Sequence, residues 1–184
     1  MVKIFKSFGA SYIDIKGDGV FALFDYNRPH TALCAAITCK TFCENDFSKK
    51  VFRKRKLSIG SHIGIDQKTV LVKRIGLEPR GGDDSHLRNE VWAGRPVNMS
   101  AKLASLSERG KIVASSRFLL NITSRKAKES CGCNNAGVST PLWEEINLED
   151  NDNFDFSKAM VLKSLWCEEH GKQYCRELVS QESE

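Results

Sequence analysis

The chain has 184 residues, a formal net charge of +5, 41% hydrophobic and 28% charged residues. That length can bury one real core, and the mixed charges are those of a globular protein rather than a disordered or fibrous one. No apolar run approaches the length of a membrane span and no leader is visible, so the expectation is a cytoplasmic protein without direct membrane binding.

In chain order, residues 1–8 read as the last turns of a helix stopped by Gly9, and Tyr12 to Lys16 alternates as a strand. Gly17-Asp18-Gly19 is a hairpin turn, and Val20 to Phe24 is the returning strand. Asn27-Arg28-Pro29 opens a helix with Ala32, Leu33, Ala36 and Ile37 as its buried stripe. The basic run from Lys49 to Lys56 reads as a solvated helix end ahead of a strand. No aromatic platform accompanies it, so no nucleic-acid partner is expected.

Two strand-like runs follow, Leu57 to Ile65 and Thr69 to Ile75, joined through Asp66-Gln67-Lys68, and Gly81 to Ser85 marks a loop. A helix from about Pro96 to Leu106 carries Val97, Ala101 and Ala104 along one side; Lys111 to Ala114 is a strand and Ser116 to Ile122 a short helix. The order β-β-α-β-β-α-β predicts an α+β sandwich with helices on one face of a largely antiparallel sheet. Beyond Ile122 the acidic run Glu149 to Asn153 reads as an exposed loop and Ser157 to Cys167 as an amphipathic helix. The expected division is therefore a domain over 1–122 and a Cys/His-rich extension over 123–184.

Seven cysteines without an export signal favour reduced thiols or metal over disulfides. Cys34, Cys39 and Cys43 lie in an Ala-rich helical stretch and read as small buried hydrophobes. Cys131-Gly132-Cys133, Cys167-Glu168-Glu169-His170 and Cys175 offer thiolates and an imidazole at ligand-like spacing. They predict a closed four-ligand structural zinc site, with the four cysteines preferred and His170 as the substitute.

Two segments carry the chemistry. Asp18 places a carboxylate on a glycine turn, where a triphosphate can approach the backbone and a hard divalent ion can be held. Taken alone, such a turn is usually only a hairpin. Asn98 and Lys102 are spaced i,i+4 on one helix face, an amide suited to a ribose and an ammonium suited to an α-phosphate. Singly these are a capping asparagine and a solvated lysine. Jointly they are the parts needed to cyclise a nucleoside triphosphate, where positioning and charge neutralisation dominate.

Gly17-Asp18-Gly19-Val20-Phe21-Ala22-Leu23-Phe24 resembles the second metal motif of class III nucleotidyl cyclases. Ile63-Gly64-Ile65-Asp66, with Val70-Leu71-Val72 and Ile75-Gly76, resembles their following hairpin. Gly94 to Leu103, with Leu106 and Gly110-Lys111-Ile112, resembles their Asn-x-x-x-Arg helix and next strand. This resemblance, over roughly residues 1–120, implies a ferredoxin-like sandwich, Asp18 as a ligand of Mn2+ (or Mg2+), Asn98 as the ribose anchor, and Lys102 at the transition-state arginine position. Lysine there keeps the charge without the bidentate fork.

Asp14 occupies the position of the adenine-reading lysine of adenylate cyclases, and the second base contact falls near Val91. A carboxylate only accepts hydrogen bonds, which suits uracil, cytosine or guanine. The phrase from Asn89 to Asn98, with the Cys-rich tail, resembles the bacterial pyrimidine cyclases of Pycsar antiphage systems. That resemblance implies cyclisation of UTP or CTP by a manganese-dependent homodimer with sites at its interface. The cyclic product would activate a separate, membrane-bound or soluble, effector in abortive infection. Uridylate is the family's commoner product. The family pattern also has a first strand, with a first metal aspartate, ahead of the segment matched here. The expectation is accordingly a sheet lacking that strand and little turnover by this chain alone. The alternative is a catalytically impaired cyclase-like domain that binds nucleotide or pairs with a partner.

Overall fold

Lys111–Ser115 (β6) is the strand around which the protein is built, in a computed structural model that describes residues 1–76, 88–133, 135–162 and 166–182. Ile112, Val113, Ala114 and Ser115 are all buried, the pattern of a strand covered on both faces. On one side it pairs in parallel with His62–Ile65 (β3), and on the other antiparallel with Lys158–Leu162 (β8), which pairs with Trp143–Asn147 (β7). The sheet order is β3-β6-β8-β7. Two separate antiparallel pairs complete the strands: Tyr12–Lys16 (β1) with Gly19–Leu23 (β2), and Leu71–Gly76 (β4) with Arg88–Ala93 (β5).

Because side chains alternate along β6, its two faces feed two cores. Ile112 and Ala114 pack with Leu33, Cys34, Ala36 and Ile37 of Pro29–Phe42 (α2), and with Leu178 of Glu168–Gln181 (α6). Val113 packs on the other face with Leu103 of Arg95–Leu106 (α4), Leu148 and Ala159. Helices thus cover both faces, which corrects the expectation of one covered face. The architecture is α+β with a mixed sheet. Residues on either side of Ile122 share the larger core, since Leu142, Trp143 and Leu162 enter it beside Leu33 and Ile112.

The remaining helices are short: Val2–Ser7 (α1), Ser48–Arg55 (α3) and Ser116–Leu120 (α5). A π-helical turn, Cys43–Phe47, links α2 to α3, and the basic residues of α3 are exposed as a solvated helix end. Cys34, Cys39 and Cys43 are buried, as predicted. Burial pushes the Cys39 thiol up to about 12. Among the described residues no helix is long and apolar enough to cross a membrane.

Three further expectations are corrected. The predicted β3–β4 hairpin does not form, because β3 is taken by β6 and β4 by β5; residues 57–61 are irregular rather than strand. The predicted helix over Ser157 to Cys167 is instead β8, with the helix starting at Glu168. Ala159–Leu162 is a short apolar run buried between β6 and β7, where periodicity cannot separate strand from helix. On α4 the core face is Pro96, Met99 and Leu103, not Val97, Ala101 and Ala104. The larger side chains at i, i+3 and i+7 remove more apolar area from water. The predicted loop at 81–85 lies outside the described residues.

Gly64 of β3 determines how closely α4 approaches. A Cβ there would lie 1.9 Å from the Ser100 carbonyl oxygen and 2.4 Å from the Ala104 nitrogen, both backbone atoms. Gly64→Ala therefore has to push α4 off the sheet, with an expected loss of about 1–3 kcal/mol. Ala101→Ser on the exposed side of α4 should stay within about 0.5 kcal/mol. Urea midpoints of the two variants check this; equal midpoints would refute the packing role.

Candidate functional site

The glycine turn forms as predicted. Lys16 pairs with Gly19, leaving Gly17 and Asp18 as the two central residues, and Gly17 takes φ +63°. Positive φ at the first central position is where such a turn requires glycine. Asp18 is exposed at the tip. At the other end of the hairpin Tyr12 stacks on Trp92 of β5, with ring centroids 4.8 Å apart. The strand that feeds α4 is thereby tied to the strand that feeds Asp18. Asp14 stands on β1 opposite Phe21, and Val91 on β5 opposite Lys73.

Asn98 is exposed on α4, one turn before Lys102, whose Nζ donates to the Asn153 carbonyl at 2.5 Å. An ammonium has three donors, so this bond leaves two for another acceptor. Among the described residues no hydrogen bond joins Asp18 to Asn98 or Lys102. Asp18 and Asn98 are exposed and Lys102 is half-buried.

Asp18 fits a hard divalent ion as a single oxygen ligand. Such ions are commonly held by one or two carboxylates together with substrate phosphate oxygens rather than by an all-protein cage. Among the described residues, only Cys131, Cys133, Cys167 and His170 bring three or more ligating side chains together.

In that cluster the four ligand atoms lie within 4.8 Å of one another. Hydrogen bonds hold the Cys131 thiol below its ordinary range, the Cys133 backbone first among them. Cys167 is likewise lowered, chiefly by the His170 backbone at the start of α6. Cys133 is pushed up to about 11 by its hydrogen bond with Cys131. Cys175 is absent from this group. It faces Cys34 of α2, whose thiol is pushed up by that contact and by burial. The structure thus gathers three cysteines and His170 where four cysteines were preferred.

Two constellations were missed in the sequence. Asp66 was read as part of a hairpin, yet its side chain is 0% exposed and is held by Arg117 through Nε at 2.7 Å and through Nη2. Ser115 Oγ donates to the same carboxylate at 2.6 Å and caps α5 by accepting from the Phe118 amide. Arg117 Nη1 donates to both oxygens of Asp155 at 3.0 Å, and Arg95 and Lys68 approach Asp155 at 3.4 and 3.5 Å.

The second constellation is at the start of α2. Glu182 accepts there from the His30 and Thr31 amides and from His30 Nδ1, all at 2.7 Å. His30 Nε2 accepts from the Thr123 and Ser124 amides, which places the ring proton on Nδ1. A capping sidechain from residue 182 has no local sequence signal.

The chain can now be set beside known proteins. No protein-family model matches the chain. It is nevertheless similar, over nearly all its length, to proteins named uridylate cyclase. One such relative, named uridylate cyclase, from Propioniciclava tarda, is 34% identical over 98% of this chain and 58% of its own length. Another of the same name, from Micromonospora echinofusca, is 34% identical over 95% of this chain and 57% of its own. The chain therefore spans less than two thirds of either relative.

The Asp66–Arg117–Asp155 network makes a stability prediction. Hydrogen bonding to Asp66, ahead of its other contacts, raises the Arg117 pKa. Burial pushes the Asp155 carboxyl up, but Arg117, with Lys68 and Arg95, brings it net below the ordinary value. A depressed folded value means that the native state binds the proton more weakly. The stabilisation is then present above the unfolded value near about 3.9 and is lost as pH falls through the folded value. Asp66→Asn should cost roughly 3 kcal/mol at neutral pH by leaving Arg117 partly unpaired. Asp155→Asn should flatten the fall in stability below about pH 5. Urea denaturation from neutral to acid pH reads both, and an unchanged acid limb in Asp155→Asn would contradict the assignment.

Proposed function

We propose that this chain provides the catalytic half-sites of a pyrimidine nucleotide cyclase that converts UTP into the 3′,5′-cyclic monophosphate and diphosphate. The observation that carries this reading is 34% identity to two uridylate cyclases over almost the whole chain. The residue roles come from the motif resemblance. In the reaction the ribose 3′-oxygen forms a bond to the α-phosphorus, the bond to the β-phosphate oxygen breaks, and the 3′-hydroxyl proton is lost.

Asn98 holds the ribose so that this oxygen stands in line with the leaving group. Lys102 gives one of its free donors to the α-phosphate and neutralises the charge that builds there. Asp18 would supply a ligand for Mn2+ or Mg2+, an ion whose chemistry would be to neutralise phosphate charge. Asp14 and Val91 sit on the strands assigned to base contact, where a carboxylate accepts from the N3–H of uracil. CTP is the competing pyrimidine.

The same motif resemblance implies a homodimer with its sites at the interface. Asp18 of one subunit would face Asn98 of the partner subunit and Lys102 of the partner subunit. The same resemblance extends the proposal to a cytoplasmic antiphage role, with the product acting on a separate effector. A second reading, an impaired cyclase-like domain that binds nucleotide without turnover, is favoured by the single carboxylate at the hairpin tip.

The purified protein, with Mn2+ and each of UTP, CTP, ATP and GTP, should form cyclic UMP preferentially. Lys102→Ala should lower kcat by about 10²–10³-fold. Mixing Asp18→Asn with Lys102→Ala chains should restore roughly a quarter of the wild-type rate, since half the dimers are mixed and each has one intact site. A purine preference, or full activity in Asp18→Asn, would overturn the assignment. Tight UTP binding without product would select the second reading.

A further inference from the structure

The four gathered ligands meet the requirements of a tetrahedral metal. Zn–S near 2.3 Å and Zn–N near 2.0 Å, at tetrahedral angles, put neighbouring ligand atoms roughly 3.5–3.8 Å apart. His170 Nδ1 lies 3.2 Å from Cys133 Sγ and 3.7 Å from Cys167 Sγ, with all four ligand atoms inside 4.8 Å. Three soft thiolates and one imidazole select zinc over the hard cations that suit carboxylates.

The backbone at both ends of the cluster is shaped for it. Gly132 sits between two of the cysteines at φ +79°, and its carbonyl accepts from the amides of Asn135 and Gly137. A Cβ at this position would lie 2.6 Å from the Gly137 carbonyl carbon, so the knuckle closes only around glycine. On the other side Cys167 and His170 occupy the N-cap and third position of α6. One short loop and one helix start thus supply two ligands each.

What such a site does follows from how α6 is otherwise held. Of its 14 residues only Leu178 is fully buried among the core side chains, and a helix of that length is marginal without tertiary support. Its far end is fastened by Glu182 on the α2 amides, and its middle by Cys175 against Cys34. The near end has the cysteine cluster.

We propose that Cys131, Cys133, Cys167 and His170 bind one zinc ion, in a closed structural site that fastens the start of α6 to the loop after α5. The cluster shares no residue with the proposed nucleotide half-sites. Loss of the metal frees α6 at its N-terminus and weakens its grip on α2 through Cys175 and Glu182. Both effects reach the helix that fills the main core.

Elemental analysis of the purified chain should give about one zinc per chain, and His170→Ala and Cys167→Ser should each lower it at least about tenfold. His170→Cys should retain the metal as a four-thiolate site, and Cys175→Ser should retain it unchanged. Cobalt substitution should give intense visible bands of a tetrahedral site together with thiolate-to-cobalt charge transfer. Chelation should speed amide exchange in residues 168–181 before the β6 amides exchange. If the chain purifies and refolds without zinc and fails to take up cobalt, the proposal falls. If zinc is lost in Cys175→Ser but kept in His170→Ala, the ligand set is wrong. A disulfide among Cys131, Cys133 and Cys167 in the natively purified protein also overturns it.

Discussion

A carboxylate with no exposure to water must be paired, and the pairing of Asp66 joins the ends of four segments. Asp66 leaves β3, Ser115 ends β6, Arg117 lies in the first turn of α5, and Asp155 stands in the loop that enters β8. Each oxygen of Asp66 has a donor, which is the condition under which a buried charge is tolerated. The guanidinium also stacks over Phe156, 5.0 Å from its ring, so the loop is held by packing as well as charge. The β7–β8 hairpin is thereby indexed against β6, and with it the Asn153 carbonyl that Lys102 uses. The proposed catalytic lysine and the buried pair are two ends of one loop.

The sequence made the local features legible and left the distant ones hidden. The Gly17–Asp18 turn, the α4 helix and the β6 strand were visible because each rests on residues adjacent in the chain. Gly17 supplies a positive φ, Pro96 opens a helix, and Ile112-Val113-Ala114 is continuously apolar. The buried trio Cys34, Cys39 and Cys43 was visible for the same reason, since an Ala-rich helix has room for small thiols. The partner of β3 was not visible. Parallel pairing with β6 depends on a crossover through β4, β5 and α4, and nothing in Ile63-Gly64-Ile65 distinguishes it from a hairpin.

The site was partly legible for a related reason. Asn98 and Lys102 announce themselves by i,i+4 spacing, whereas Arg117 and Asp155 are 38 residues apart and carry no shared pattern. The choice of His170 over Cys175 turns on helix geometry. In α6, residues 167 and 170 are one turn apart at its start and share a face, while 175 is two turns further along and meets α2. Spacing alone left both open, and the earlier preference for cysteine reflected ligand chemistry rather than the phase of the helix. Expecting that helix to end at Cys167, just where α6 begins, concealed the distinction.

The position of the Asp18 turn is set at the opposite end of its hairpin. Tyr12 and Trp92 fix one end of the β1–β2 hairpin beside the strand entering α4, while Asp18 lies at its other end. Four residues of strand separate Tyr12 from the turn, about 13 Å at strand rise. In the proposed reading, the tip reaches a triphosphate held on the Asn98–Lys102 face of α4 in a second copy of the chain. Under that proposal a two-fold axis would supply the approach twice, once for each tip. In that reading the Tyr12–Trp92 contact holds the hairpin at its base, and the exposed Asp18 tip is the part that serves the other copy.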